Sequence, residues 1–216
     1  MRGIADQLVT DVLFAFYQPL GYSLLTVFFF MFFYMFAYGK YETGKGYKAA
    51  ISKWKDCFVK EVSFRRLFLL VFYVMLVLFR TLINRDQWVN PLYEVLDGWW
   101  IYDTNTITGK TVVSIDCIEN LLLFIPFTFL LFCWQAEASE QAGIKKILKD
   151  ACRISFVCSF GIEMLQMIFR LGSVQISDLV YNTLGGAIGG VLYWLICRIR
   201  ILFSACEGGQ NEKKRY

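Results

Sequence analysis

Three stretches of the chain carry acids and amides at spacings that a helix gathers onto one side. Asp116, Glu119 and Asn120 form the first; Ser155, Ser159, Glu163, Gln166 and Arg170 form the second. The third begins with Asp178 and Asn182 and continues into Gly185, Gly186, Gly189 and Gly190. At about 100° per residue, the five polar residues of the second stretch share an arc of about 80°. Asp178, Asn182, Gly185, Gly186 and Gly189 share about 100° by the same geometry. Amides and hydroxyls so placed can hydrogen-bond a polar ligand, and Glu163 with Asp178 makes a carboxylate pair suited to acid/base work or to Mg²⁺. The plainer possibility is interhelical hydrogen bonding, with the glycines as packing positions. Histidine is absent, which removes Ser-His, Cys-His and His-metal mechanisms together. The seven cysteines form no CxxC pair, and Cys117, Cys133, Cys152, Cys158 and Cys197 lie in or beside apolar runs. They read as small buried hydrophobes rather than disulfides or metal ligands. The sequence calls for no cofactor and no resident metal.

The elements that must position these residues are membrane-spanning helices. Hydrophobic residues make up 57% of the chain and aromatics 18%, with a mean hydropathy of +0.48. That apolar share exceeds what a water-soluble domain carries. Five apolar segments approach the ~20 residues that span a bilayer, at about 20–38, 67–83, 115–134, 154–169 and 179–197. The fourth and fifth look short and polar. Residues 14–18 read as an interfacial approach broken at Pro19-Gly21. No cleavable leader is visible, because Asp6 and Asp11 follow Arg2 and the first apolar run is too long.

The expected fold class is therefore an all-α integral membrane protein, a bundle of about five transmembrane helices in the cytoplasmic membrane. Its basic residues are asymmetric: 17 fall in 39–66, 135–153 and the tail, against 5 elsewhere. Since cytoplasmic loops carry the Lys/Arg excess, the N-terminus is expected outside and the C-terminus inside. Three parts follow: 1–66, a helix and a basic amphipathic strap contacting anionic lipid; 67–198, a bundle with an outer loop at 84–114; and 199–216, a basic tail, unstructured beyond 207. The outer loop holds Trp88, Tyr93, Trp99, Trp100 and Tyr102, a density typical of the headgroup belt. This topology brings the three polar clusters to one level near the outer leaflet. Charged residues inside spans face the bundle interior or a wet cavity, and an ion pair of Glu163 or Asp178 with Arg170 or Arg80 is expected there.

Three ordered motifs carry a family resemblance over about 80–194. Glu119-Asn120-Leu121-Leu122-Leu123-Phe124-Ile125-Pro126 resembles the N-x-x-x-F-x-P segment of the VanZ-like family. Ser159 to Gln166 is similar to its S-x-x-x-E-x-x-Q stretch, and Asp178 to Gly186 to its D-x-x-x-N-T-x-G-G helix; Asn90-Pro91-Leu92 echoes a further element. Thr128 stands where the family usually has glycine, and Gln175 and Ser177 stand in what is usually an acid-rich run. The resemblance implies a cell-envelope membrane protein linked to teicoplanin and lipoglycopeptide resistance in Gram-positive bacteria. On that basis Asn120, Ser159, Glu163, Gln166, Arg170, Asp178 and Asn182 are the candidate ligand-binding residues, and Gly185, Gly186, Gly189 and Gly190 the packing ones. The expected partners are membrane lipids, lipid-linked envelope precursors or glycopeptides, not nucleic acid. The alternatives are a membrane enzyme acting on a lipid-linked substrate through a Glu/Asp pair, and a small transporter or flippase subunit.

Overall fold

The computed structural model describes residues 2–37, 46–83, 95–99, 102–104, 111–113, 116–136 and 142–213. Its helices are α1 (Arg2–Ala37), α2 (Tyr47–Lys60), α3 (Val62–Leu78), α4 (Asp116–Trp134), α5 (Ile144–Phe169) and α6 (Ile176–Lys213). A π-helical turn, Phe79–Ile83, closes α3. Among the described residues, five stretches are long and apolar enough to cross a membrane: Tyr17–Ala37, Val62–Leu82, Cys117–Trp134, Ile144–Phe169 and Ile176–Phe203. Without water to satisfy the peptide groups, such apolar sequence has helix as its one local solution.

Three sequence expectations are corrected. Pro19 lies inside α1 and does not break it; a proline removes one N–H donor and one ladder bond, too little to end a helix of 36 residues. The fourth and fifth spans are not short. α5 begins at Ile144, so Lys145, Lys146, Lys149 and Arg153 sit on its first turns rather than in a loop. There they can snorkel from a helix end. The last helix likewise runs to Lys213, past residue 207, where an unstructured tail was expected.

Most of the aromatic 84–114 loop, expected on the outer side, lies outside the described residues, Trp88, Tyr93 and Trp100 among them. Within it, Tyr102–Thr104 pairs antiparallel with Thr111–Val113 in a two-stranded ladder. Everything else described as regular structure is helical.

Packing divides into three clusters along the bundle. Val27, Met31 and Met35 of α1 meet Cys57 of α2 and Phe64, Leu67 and Val71 of α3. The strap α2 is fastened there by Trp54, which stacks on Phe58 and meets Phe28, Phe32, Phe64 and Phe68. Arg65 closes its C-terminal end by donating to the Phe58 and Val59 carbonyls at 3.0 and 2.6 Å, carbonyls that a helix end leaves unpaired. Tyr73, Leu76 and Val77 of α3 then pack on Leu123 and Phe124 of α4 and Ile162 of α5, and the Tyr73 hydroxyl donates to the Leu123 carbonyl at 2.8 Å. Phe132, Ile147, Ala151, Tyr193 and Cys197 join the other ends of α4, α5 and α6.

Candidate functional site

Glycine decides how closely α6 is gripped. A methyl group built on Gly185 would strike the Leu121 carbonyl, and one on Gly189 the Ile125 carbonyl, both on α4. On the adjacent stripe, a methyl on Gly186 would strike Ser155, and one on Gly190 would lie 2.8 Å from the Ala151 Cβ, both on α5. The two overlapping four-residue repeats therefore serve two different neighbours, and α6 is wedged between α4 and α5 at close backbone approach. Thr128, standing in place of the glycine expected from the resemblance, is fully buried in this seam. Its hydroxyl lies 2.8 Å from the Gly186 carbonyl and turns a packing position into a hydrogen bond between helices.

The α5–α6 contact has a fixed register. Ala151 faces Gly190 and Ser155 faces Gly186; one turn on, the Asn182 amide donates to the Ser159 hydroxyl at 2.8 Å. Antiparallel helices advance together in four-residue steps, so the next rung is Glu163 with Asp178. Both acids are buried, at 5% and 6% exposure. The rung lies under the turn between α5 and α6, where the Gln175 backbone N–H donates to Glu163 Oε2 at 3.2 Å. Asp178 occupies the first turn of α6, the helix end that favours negative charge.

A short piece of the 84–114 loop, residues 95–99, lies against this turn. The Ile176 N–H donates to the Val95 carbonyl at 3.1 Å and the Ser177 hydroxyl to the Asp97 carbonyl at 2.7 Å. The Tyr181 hydroxyl donates to the Trp99 carbonyl at 2.8 Å. Gly98 takes a φ of +79°, and any side chain on it would meet Gln175 and Ser177, so this approach requires glycine on both counts.

The structure thus assembles most of the expected residues. Ser159, Glu163, Gln166, Asp178 and Asn182 are all buried at one end of the bundle. Gln166 donates to the Thr81 carbonyl at 2.9 Å, tying α5 to the π turn. Asn120 is partly buried at the same end of α4, beside Glu119. Arg170 is not on the buried face where its ion pair with Glu163 or Asp178 is expected. It shares the helical angle of Glu163 but lies beyond the end of α5, exposed, in the left-handed conformation at φ 54°. The Leu171 N–H closes the helix on the Gln166 carbonyl at 2.9 Å. The guanidinium leaves the buried face because the helix that would carry it there has ended. Arg80 fills the expected role of paired cation, with a different acid: it binds Glu119 at 3.0 Å.

Sequence reasoning missed Thr81, Ser177 and the 95–99 segment. Thr81 contributes a backbone carbonyl that no side-chain pattern announces. An apolar cavity of about 460 Å³ among α3, α4 and α5, lined by Val77, Phe124, Phe127, Ile162 and Leu165, lies on the side of α5 away from Glu163. It is separate from the polar site.

The family model of VanZ/LLP1 matches residues 20–198. The chain belongs to the VanZ/LLP1 family. It is similar to Protein VanZ of Enterococcus faecium, 34% identical over 80 residues, which cover 37% of this chain and 45% of that protein. The match therefore spans a little under half of that relative. No solved structure matches the chain. Family membership and five apolar helices together make this a VanZ-like, multi-pass membrane protein.

Proposed function

We propose that this VanZ-like protein recognises a lipid headgroup or another cell-envelope component at the polar cluster of Ser159, Glu163, Gln166, Asp178 and Asn182, with Asn120 at its margin. The reading extends to glycopeptide resistance of the teicoplanin type, which the family resemblance implies. The observation that carries it is the burial of two carboxyl groups, Glu163 and Asp178, on facing helices. Each ionised group inside a membrane helix costs roughly 2.5–3.5 kcal/mol on insertion scales, and packing alone would be served better by neutral side chains.

The orientation that puts this end of the bundle at the outer leaflet rests on the asymmetry of basic residues. Cysteine introduced at Asp103 in a cysteine-free background should react with impermeant thiol reagents in intact cells, while one at Lys145 should not. The reverse pattern would reject the orientation. The functional reading is tested by teicoplanin susceptibility of a host in which the unmodified protein protects, expressing Glu163→Gln or Asp178→Asn at matched membrane levels. Isosteric amides keep shape and most hydrogen bonding, so a ligand site predicts loss of protection with normal folding. Full protection by both variants would reject the site.

A further inference from the structure

Gly161 departs from the pattern set by the other glycines inside α5 and α6. A methyl group built on Gly185, Gly186, Gly189 or Gly190 would strike a neighbouring helix, whereas one built on Gly161 would meet nothing within 4 Å. A glycine inside a helix is less stable than alanine, and no close approach explains this one. What Gly161 borders is the apolar cavity of about 460 Å³ among α3, α4 and α5. Val74 and Val77 form one wall, Cys158 and Ile162 the facing one, and Phe124 lies between them. The hydrogen bond from Gln166 to the Thr81 carbonyl ties the two walls together just past that level. No side chain of the lining is ionised or carries an amide or hydroxyl. A space so lined stays dry and takes up an apolar molecule.

We propose that this hollow is a seat for one fatty acyl chain of a membrane phospholipid. Its depth supports that occupant. Val77, Phe124 and Ile162 lie about 7–10 Å inside the ends of their apolar segments at 1.5 Å per residue, within the ~15 Å half-thickness of the hydrocarbon. The rim is continuous with the lipid-facing side of α5, where Val157, Phe160 and Ile168 are exposed. Lipid chains therefore already lie against its mouth. A helix of a second copy fits less well. Close helix pairs in membranes set small residues four positions apart, and here Val157 and Leu165 stand one turn to either side of Gly161. A flexible chain needs no such repeat. It restores the dispersion contacts that the walls of an empty space lack. Glu163 lies on the opposite side of α5, so the chain site stands apart from the polar cluster and neither reading depends on the other.

The test places the full-length protein in nanodiscs containing phosphatidylcholine with a photoactivatable diazirine on one acyl chain, and maps the adducts by mass spectrometry. Val77 and Ile162 are buried, at 6% and 9% exposure, so a chain reaches them through the hollow. Val157 and Phe169 are exposed and report ordinary contact with the bilayer. In the unmodified protein, labelling of Val77 and Ile162 should approach that of Val157 and Phe169. Gly161→Phe puts a ring into the same space and should cut labelling of the buried pair about tenfold, leaving Val157 and Phe169 labelled as before. Gly161→Ala is too small to fill the space and should keep all four adducts. Neither variant should unfold more readily than the parent, because the added atoms meet open space. Should Gly161→Phe fail to fold, Gly161→Leu takes its place, and labelling of the unmodified protein still decides. Absence of adducts at Val77 and Ile162 in the unmodified protein overturns the chain site, as does their persistence in a folded Gly161→Phe. A dimeric particle in detergent that becomes monomeric on Gly161→Phe also overturns it, because the hollow then belongs to a second copy.

Discussion

The two glycine stripes of α6 should respond differently to the same added methyl group. Gly186→Ala places a carbon onto the Ser155 side chain, close to both its Oγ and its Cβ. Gly185→Ala places one onto the backbone carbonyl of Leu121. Overpacking a close contact costs about 1–3 kcal/mol, so both substitutions should destabilise by that amount. Only the first obstacle is a removable side chain. Ser155→Gly takes away both offending atoms, and it also removes a buried hydroxyl that has no partner. In Gly186→Ala/Ser155→Gly the Thr128 methyl remains 3.2 Å from the new carbon, a contact that a shift of a few tenths of an ångström relieves. Most of the loss should therefore return, as a favourable coupling of about 1–2 kcal/mol in a double-mutant cycle. No substitution of Leu121 can rescue Gly185→Ala, because the carbonyl persists in every residue. Reversible unfolding in mixed micelles, followed by tryptophan fluorescence, measures all five variants with the parent. If Ser155→Gly rescues both glycine substitutions equally, or neither of them is destabilising, the assignment of each stripe to its own neighbour is wrong.

Two other positions offer direct checks. Arg170→Gly should raise stability by about 1 kcal/mol, because it removes the cost of a left-handed non-glycine residue at a helix end and gives up no buried contact; a loss in the same unfolding assay would show that the side chain makes a stabilising contact after all. Arg80→Met and Glu119→Leu should each cost about 1–3 kcal/mol, since the pair is only partly buried and each leaves a charge with its hydrogen bond unmade. The double variant should recover most of that loss, and additive losses would show that the two residues act independently.

Composition and periodicity made the bundle legible, and helical angle made legible which candidate residues share a buried face. Ser159, Glu163 and Gln166 share a face because of their spacing, and Asp178 with Asn182 likewise. What failed was the reading of ends. Arg170 has the right angle but lies one residue past Phe169, where α5 stops, and angle says nothing about where a helix terminates. Lys145, Lys146 and Lys149 suggested a loop by their charge, yet they begin α5, because long basic side chains tolerate the edge of a span. Thr81 was invisible for a different reason: it acts through its backbone carbonyl within a π turn, a backbone feature found often at functional sites. The partner of Arg80 was a matter of tertiary position, since Glu119 lies 39 residues away.

The close packing and the polar site are one device. Small residues recur every four positions on both helices, Ala151, Ser155 and Ser159 against Gly190, Gly186 and Asn182. A slip of one turn between them would set Glu163 against Asn182 and leave Asp178 facing Met167. The two acids would then no longer share a rung. Nothing in a smooth pair of apolar helices resists such a slip strongly, because lipid is as good a neighbour as leucine. Here the resistance is steric and specific. Gly186 admits Ser155, Gly190 admits Ala151, and the Thr128 hydroxyl holds the Gly186 carbonyl from the opposite side. Residues well below the rung therefore decide whether the two acids lie at one level, and a substitution such as Gly190→Leu should shift them out of register without touching either one.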